Sequence, residues 1–220
     1  MYTEATPELI LQAYRQGIFP MAESAESAYF SFYRPEQRGQ LSIEHLHIPK
    51  RLKKTLRQMP YRVSVDEAFE EIIDLCAAAA KGRANTWINK PIRDVFVQLY
   101  KMGFAHSVEC WAKTEAGEEV LAGGLYGLAI GAVFCGESMV TRETDASKIA
   151  LVHLCARLKK AGFEILDTQF TNPHLEQFDV YEVPQELYEQ KIKTAMQKKC
   201  DFLLKTVQVN EQELIEEYLS

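Results

Sequence analysis

The stretch "AVFCGESMVTRETDASKIAL", residues 132–151, runs from a small-residue apolar strand into a lone acid, Glu137, and then into a polar segment that opens an apolar-periodic helix. Burying an unpaired carboxylate is costly unless it is paired or neutralised. A core strand gains nothing from Glu137, so this acid either reaches solvent or belongs to a site. The same stretch sets a strand-to-helix junction: the period predicts a helix over Ala146–Ala161, with Gly162 as its C-cap.

Moving toward the C-terminus, the pattern predicts a strand over 163–170 ("FEILDTQF"), a short "NPHLEQF" segment, a βα piece over 180–192 and an acidic tail after Asn210. Moving toward the N-terminus, "HSVECWAK" (106–113) and "VLAGGLYGLAI" (120–130) are strands joined by the acid- and glycine-containing turn "TEAGEE", a hairpin signal. "PIRDVFVQLYKMG" (91–103) is a helix stopped by Gly103, and "KGRANTWI" (81–88) is a loop carrying Trp87. "YRVSV" (61–65) is a strand, after which Ser64 or Asp66 is placed to cap a helix over 67–80. Before it, Pro49 opens the basic helix "PKRLKKTLRQM" and Pro60 ends it. A helix over Pro7–Gln16, a turn-rich aromatic segment (17–39) and a short strand near Gly39–Ile43 complete the start.

This organisation reads as a small N-terminal domain (1–60) carrying the basic segment, packed on a larger domain (61–195), with a C-terminal tail (196–220). The order helix, helix, three antiparallel strands, helix, strand, helix, strand is that of an α+β acyltransferase of the GNAT type. In that fold the central antiparallel sheet splays open and the substrate lies in the splay.

Composition agrees with an ordinary globular chain: 47% of the 220 residues are apolar and 25% charged, enough length for a real core. No secretory-type apolar segment opens it and no run approaches a membrane span. The five cysteines stand singly without CxxC spacing, which reads as small buried hydrophobes in a reduced, cytoplasmic protein. The net charge of −6 hides an asymmetry: between Arg34 and Arg62 eight basic residues face two acids. That run, with Arg38, Lys50, Arg51, Lys53, Lys54 and Arg57, is either a solvated helix face or a footprint for phosphates.

Three polar residues stand at strand ends where such a sheet opens: Glu137, Asp167 and Gln169. Asp167 and Gln169 are two apart on one strand and so share a face, where an acid and an amide address one reacting group. The plainer reading makes Asp167 a cap for the "NPHL" turn and Gln169 a solvated strand residue. Around them Leu125, Phe134, Met139, Leu151, Leu154, Leu158 and Leu166 are either core or an apolar pocket, which look alike in sequence. A CoA-dependent enzyme of this type needs a glycine-rich turn at the strand–helix junction to hold the pyrophosphate. Here the junction is "VTRETDASK", so a CoA thioester is not the expected donor. His45 and His47 share a strand face without partners that complete a metal set, and no cofactor is expected.

"ELILQAYRQGIFPM", "TWINKPI", "GFAHSVECW", "GGLYGLAIGAVFCGESM", "DASKIAL" and "LDTQFTNPHL" together resemble the leucyl/phenylalanyl-tRNA–protein transferase family, in order from about residue 8 to 190. The resemblance implies transfer of Leu or Phe, and sometimes Met, from aminoacyl-tRNA to proteins with N-terminal Arg or Lys, marking them for N-degron degradation. It makes Asp167 and Gln169 the catalytic pair and Glu137 the acid of "GESM". Trp87 and Phe32 then stack on the terminal adenosine, Asn172 adds a polar contact, and Leu125, Phe134, Leu151, Leu154, Leu158 and Leu166 line the aminoacyl pocket. The basic segment gains a partner in the acceptor stem. The chain departs from the family pattern at "FYRPEQR", where Phe32 replaces a Trp, at Gln177–Val180, and in its tail. Two other readings remain: a GNAT-like transferase with another acyl donor, and a non-catalytic tRNA-binding relative.

Overall fold

The computed structural model describes residues 5–78, 86–206 and 209–220. Helix α1 (Pro7–Arg15) leads into strands β1 (Phe19–Met21), β2 (Ser31–Tyr33) and β3 (Gln37–Leu41), then helix α2 (Lys50–Arg57) and strand β4 (Arg62–Val65). Helices α3 (Phe69–Ala77) and α4 (Lys90–Lys101) precede the long strands β5 (Ala105–Lys113), β6 (Glu119–Ile130) and β7 (Val133–Thr141). Helix α5 (Ala146–Ala161), strand β8 (Ile165–Gln169), helix α6 (Pro173–Glu176), strand β9 (Tyr181–Pro184) and helices α7 (Gln185–Ala195) and α8 (Glu211–Leu219) follow. Residues 81–85 of the loop expected over 81–88 and residues 79–80 of the helix expected over 67–80 lie outside the described residues.

Local chemistry sets the helix ends. Thr6 and Asn89 accept the Leu9 and Ile92 amides at 3.2 and 3.1 Å. Each is followed by a proline in the first turn, and Gly162 closes α5 with φ 77°, as side-chain capping and a left-handed glycine require. Neither Ser64 nor Asp66 caps α3. The Ser64 hydroxyl donates to Glu109 at 2.6 Å, and Asp66 accepts the Ser107 amide at 2.8 Å and meets His106 Nδ1 at 2.7 Å. Both side chains are drawn across to β5 instead.

Seven strands form the main sheet in the order β4-β5-β6-β7-β8-β3-β9, beside a two-stranded ribbon of β1 and β2. The pairing is antiparallel throughout except at its centre, where β7 and β8 run parallel. The expected all-antiparallel centre is therefore corrected: α5 links β7 to β8, and a helical crossover returns the chain in the same direction. Strand β3, read from sequence as part of the small N-terminal unit, lies inside the large sheet between β8 and β9. Its pattern Arg38-Gly-Gln40-Leu41 carries two buried polar residues, Arg38 paired with the buried Asp167 and Gln40 accepting from the Tyr181 hydroxyl, so no apolar alternation advertises a central strand.

The sheet is covered on both faces. One core joins Ile10, Leu11 and Tyr14 of α1 with residues of α3, α4 and α7. The other joins Leu52 and Leu56 of α2 with α5 and the C-terminal segment, through Phe202, Leu214 and Ile215. The acidic tail thus docks rather than trailing in solvent. Phe202 is 3% exposed and lies against His106, Phe134 and Phe163, while Glu211 bonds both His153 and Arg157 of α5.

Candidate active site

The parallel pairing of β7 and β8 lasts only from Val133–Cys135 against Ile165–Asp167. Beyond it β7 continues with β6 as far as Thr141, whereas the end of β8 turns toward β3, with Gly39 opposite Gln169. The sheet forks, and the fork holds a cavity of about 520 Å³. Gly136–Met139 line one arm, Thr168 and Gln169 the other, and Leu41, Leu125, Leu151, Leu154, Leu166 and Leu175 supply apolar walls. That volume lies within the range of small-molecule pockets, about 300–1,000 Å³.

Glu137 is partly open to this cavity, and two donors converge on one of its oxygens. The Tyr14 hydroxyl reaches Oε1 at 2.7 Å and Gln169 Nε2 reaches the same atom at 3.2 Å, leaving Oε2 as the second acceptor. Burial pushes the Glu137 carboxyl up to about 8, against the opposing pull of the Tyr14 hydrogen bond. Burial, with the Glu137 charge beside it, also holds the Tyr14 hydroxyl well above its ordinary range, so Tyr14 remains a donor. A carboxyl poised in this way holds a cation when ionised and donates when protonated.

Asp167 stands behind this wall. It is fully buried and does not line the cavity. Its Oδ1 accepts from Arg38 Nε at 2.7 Å and from the Gln169 amide at 3.0 Å; its Oδ2 accepts from Arg38 Nη2 at 2.7 Å and from the Tyr188 hydroxyl at 3.2 Å. The shared face expected for Asp167 and Gln169 is lost because Gln169 adopts φ 58°. There the Phe170 amide closes back on the Thr168 carbonyl at 2.7 Å, a tight turn that ends strand alternation. The Gln169 side chain is thereby delivered to Glu137 while Asp167 stays inside.

Trp87, Asn172, Leu125, Leu151, Leu154 and Leu166, all singled out in the sequence, line the cavity. Asn172 also caps α6 by accepting the Leu175 amide at 3.0 Å, and the Trp87 carbonyl accepts the Ala22 amide at 3.1 Å, tying its loop to β1. Phe134 and Leu158 do not line it. Both are fully buried, Phe134 stacked on Phe202 with ring centroids 5.3 Å apart. Phe32 is 38% exposed on the β1–β2 ribbon, edge-on to Phe30, and also stands outside the lining. Of the basic set, Lys50, Arg51, Lys54 and Arg57 are exposed and Lys53 half-buried on α2. Arg38 is corrected: it is fully buried and paired with Asp167, so no phosphate reaches it. Tyr14, Leu41, Thr168 and Leu175 escaped the sequence reading; only Tyr14, on the apolar stripe of α1 with Ile10, carried a signal, and that signal says core.

A family model described as leucyl/phenylalanyl-tRNA protein transferase matches residues 40–193, and one for the N-terminal domain of that transferase matches residues 3–36. A leucyl/phenylalanyl-tRNA–protein transferase of Hyphomonas neptunium is 48% identical over 196 residues, spanning 89% of this chain and 74% of that protein. One of Phenylobacterium zucineum is 45% identical over 193 residues, spanning 88% and 85%. Among solved structures, that of L-PGS from Bacillus licheniformis overlaps 84% of this chain and 68% of its own at 15% identity and a TM-score of 0.38. The chain belongs to the leucyl/phenylalanyl-tRNA–protein transferase family and is an aminoacyl-tRNA–protein aminoacyltransferase.

Proposed function

We propose that the forked-sheet cavity receives the leucyl or phenylalanyl group of an aminoacyl-tRNA, with methionyl as a third donor, and that the acceptor is a protein with N-terminal Arg or Lys, marked thereby for N-degron degradation in the cytoplasm. The observation that carries this reading is the convergence of Glu137 and Gln169 at an opening walled by Leu125, Leu151, Leu154 and Leu166. The acceptor's α-amine attacks the ester carbonyl, a C–N bond forms, and the C–O bond to the tRNA 3′ oxygen breaks. That oxygen takes the electron pair and, finally, the proton released by the amine. Glu137 and Gln169 hold the amine and the acceptor's cation, so positioning supplies most of the rate. Trp87 stacks the terminal adenosine, with Phe32 as a second ring from the ribbon, and Asn172 contacts the same end.

The junction after β7 supports an ester donor over a CoA thioester. The Ser147 amide is taken up by Thr141 Oγ1 at 3.3 Å, and Asp145, not a glycine, opens α5, a poor cradle for pyrophosphate. The fork supports a GNAT-like architecture, and the exposed cations of α2 suit acceptor-stem phosphates. Labelled leucine transferred from Leu-tRNA to an Arg-initiated peptide, abolished by RNase and unaffected by CoA, is the expected result. Equal transfer to an Ala-initiated peptide would sink the acceptor assignment.

A further inference from the structure

We propose that Arg38 is a positioning residue for the transfer reaction: acting through Asp167, it sets the turn that presents Gln169, and the Asp167 carboxylate serves as the middle of this clamp rather than as the acceptor of the amine's proton. The inference rests on the transfer chemistry proposed above.

The geometry is a continuous chain from Arg38 to the cavity. The Arg38 guanidinium meets both Asp167 oxygens at 2.7 Å in a two-pronged pair, the arrangement in which a planar fork fixes a carboxylate's orientation. Its third donor group, Nη1, reaches the Gly17 carbonyl at 3.0 Å. The rings of Phe19 and Tyr188 lie over it, with centroids 4.7 and 4.5 Å from Cζ. The Gly17 carbonyl also accepts from Gln185 Nε2 at 2.8 Å, so the α1–β1 connection, β3, β8 and α7 meet at this one cation. Fixed in this way, Asp167 Oδ1 accepts the Gln169 amide and holds Gln169 at φ 58°, a conformation that costs a non-glycine residue strain and persists only when its surroundings impose it. Gln169 then reaches Glu137 in the cavity. Both Asp167 oxygens are occupied and the group is fully buried, so no lone pair of it faces the reacting amine. Next along β3, Gly39 allows the close approach: a Cβ there would lie 2.7 Å from Thr168 Oγ1 and 2.8 Å from the Phe170 carbonyl carbon.

The test uses the full chain with Leu-tRNA and an Arg-initiated peptide. Arg38→Lys keeps the charge and loses the fork; kcat should fall about 10²-fold, the cost of a small misplacement, with KM for Leu-tRNA within about twofold of wild type. The paired variant Arg38→Gln/Asp167→Asn also loses the fork but keeps an acceptor for the Gln169 N–H; its kcat should fall about as far as that of Arg38→Lys, about 10²-fold, whereas removal of a general base at Asp167 would add roughly 10²–10⁴-fold to that loss. Hydrogen exchange at the Gln169 amide supplies a readout that does not need activity or the paired variant to fold: in Arg38→Lys it should quicken at least about tenfold while the central amides of α5 keep their protection. Wild-type kcat in Arg38→Lys, a loss beyond about 10³-fold in a folded paired variant, or an unchanged Gln169 amide would each overturn the proposal.

Discussion

Tyr14 donates to Glu137 across 123 residues of sequence, at 2.7 Å, and so joins the first helix of the chain to the acid at the mouth of the sheet's fork. This bond, with the one from Gln169, fixes one oxygen of the only carboxyl group among the described residues that lines the cavity. It makes the N-terminal segment part of the site.

Glu137 titrates near 8 in the folded chain because burial disfavours its charge, whereas in the unfolded chain it titrates in the ordinary carboxylate range. Between those values the folded state binds the extra proton, so its contribution to stability falls as pH rises toward 8 and is flat above. Glu137→Gln should therefore gain Tm over wild type progressively from pH 5 to 8. Tyr14→Phe removes a bond that favours the charged form and should carry the wild-type slope beyond pH 8. Parallel Tm-against-pH curves for all three proteins would refute the assignment.

Gly39→Ala puts a methyl group against the backbone of Phe170, closer than a Cβ approaches backbone atoms in folded proteins. Overpacking of this kind costs typically about 1–3 kcal/mol, and the displaced element is the turn that carries Gln169. Transfer should drop more than stability does. Chemical denaturation and initial rates on one preparation compare the two.

On the proposed function, the apolar wall sets donor choice. Leu151→Ala enlarges the cavity and should favour phenylalanyl over leucyl donors, read as the ratio of kcat/KM values. One or two methylenes in such a wall are worth about 1–3 kcal/mol, so the ratio should move by roughly 10-fold or more. The same substitution at a buried leucine should destabilise by about 2–5 kcal/mol. An unchanged donor ratio would place the aminoacyl side chain elsewhere.

Lys50, Arg51, Lys54 and Arg57 are exposed on α2 and have no ion pair among the described residues. Neutralising all four should raise KM for aminoacyl-tRNA and lower the slope of log K against log salt by about 0.7–0.9 for each phosphate that no longer meets a cation. The KM for the peptide should not follow.

Phe202 inserts between α5 and the strands, 3% exposed, over the Phe134 ring. Phe202→Ala should cost about 3–5 kcal/mol and loosen the helix that supplies Leu151 and Leu154 to the cavity. Thermal unfolding measures the first effect. The second is a fall in selectivity between leucyl and phenylalanyl donors.

Much of the architecture was legible in the chain. The helix Ala146–Ala161 and its glycine cap coincide with expectation, because period and capping are local. The hairpin strands of the fork lie within a residue or two of where alternation and turn chemistry place them. Among the site residues, Leu125, Leu151, Leu154 and Leu166 line the cavity while Phe134 and Leu158, identical to them in pattern, pack in solid core. Hydrophobicity selects the interior; only the partner opposite, Phe202 for Phe134, distinguishes wall from filling.

From the amino-acid order alone came the family, the sequence of elements, and a lone acid, Glu137, that has no purpose in a core; the strand expected to end at it runs on to Thr141. The fold decided what that acid and its neighbours do. Arg38, which belongs to a basic run on paper, is buried against Asp167 across 129 residues, and Gln169 leaves the face of Asp167 through one left-handed residue. Period and capping are set by neighbours along the chain. The partner of a buried charge is set by which strands lie side by side, and no local pattern encodes that.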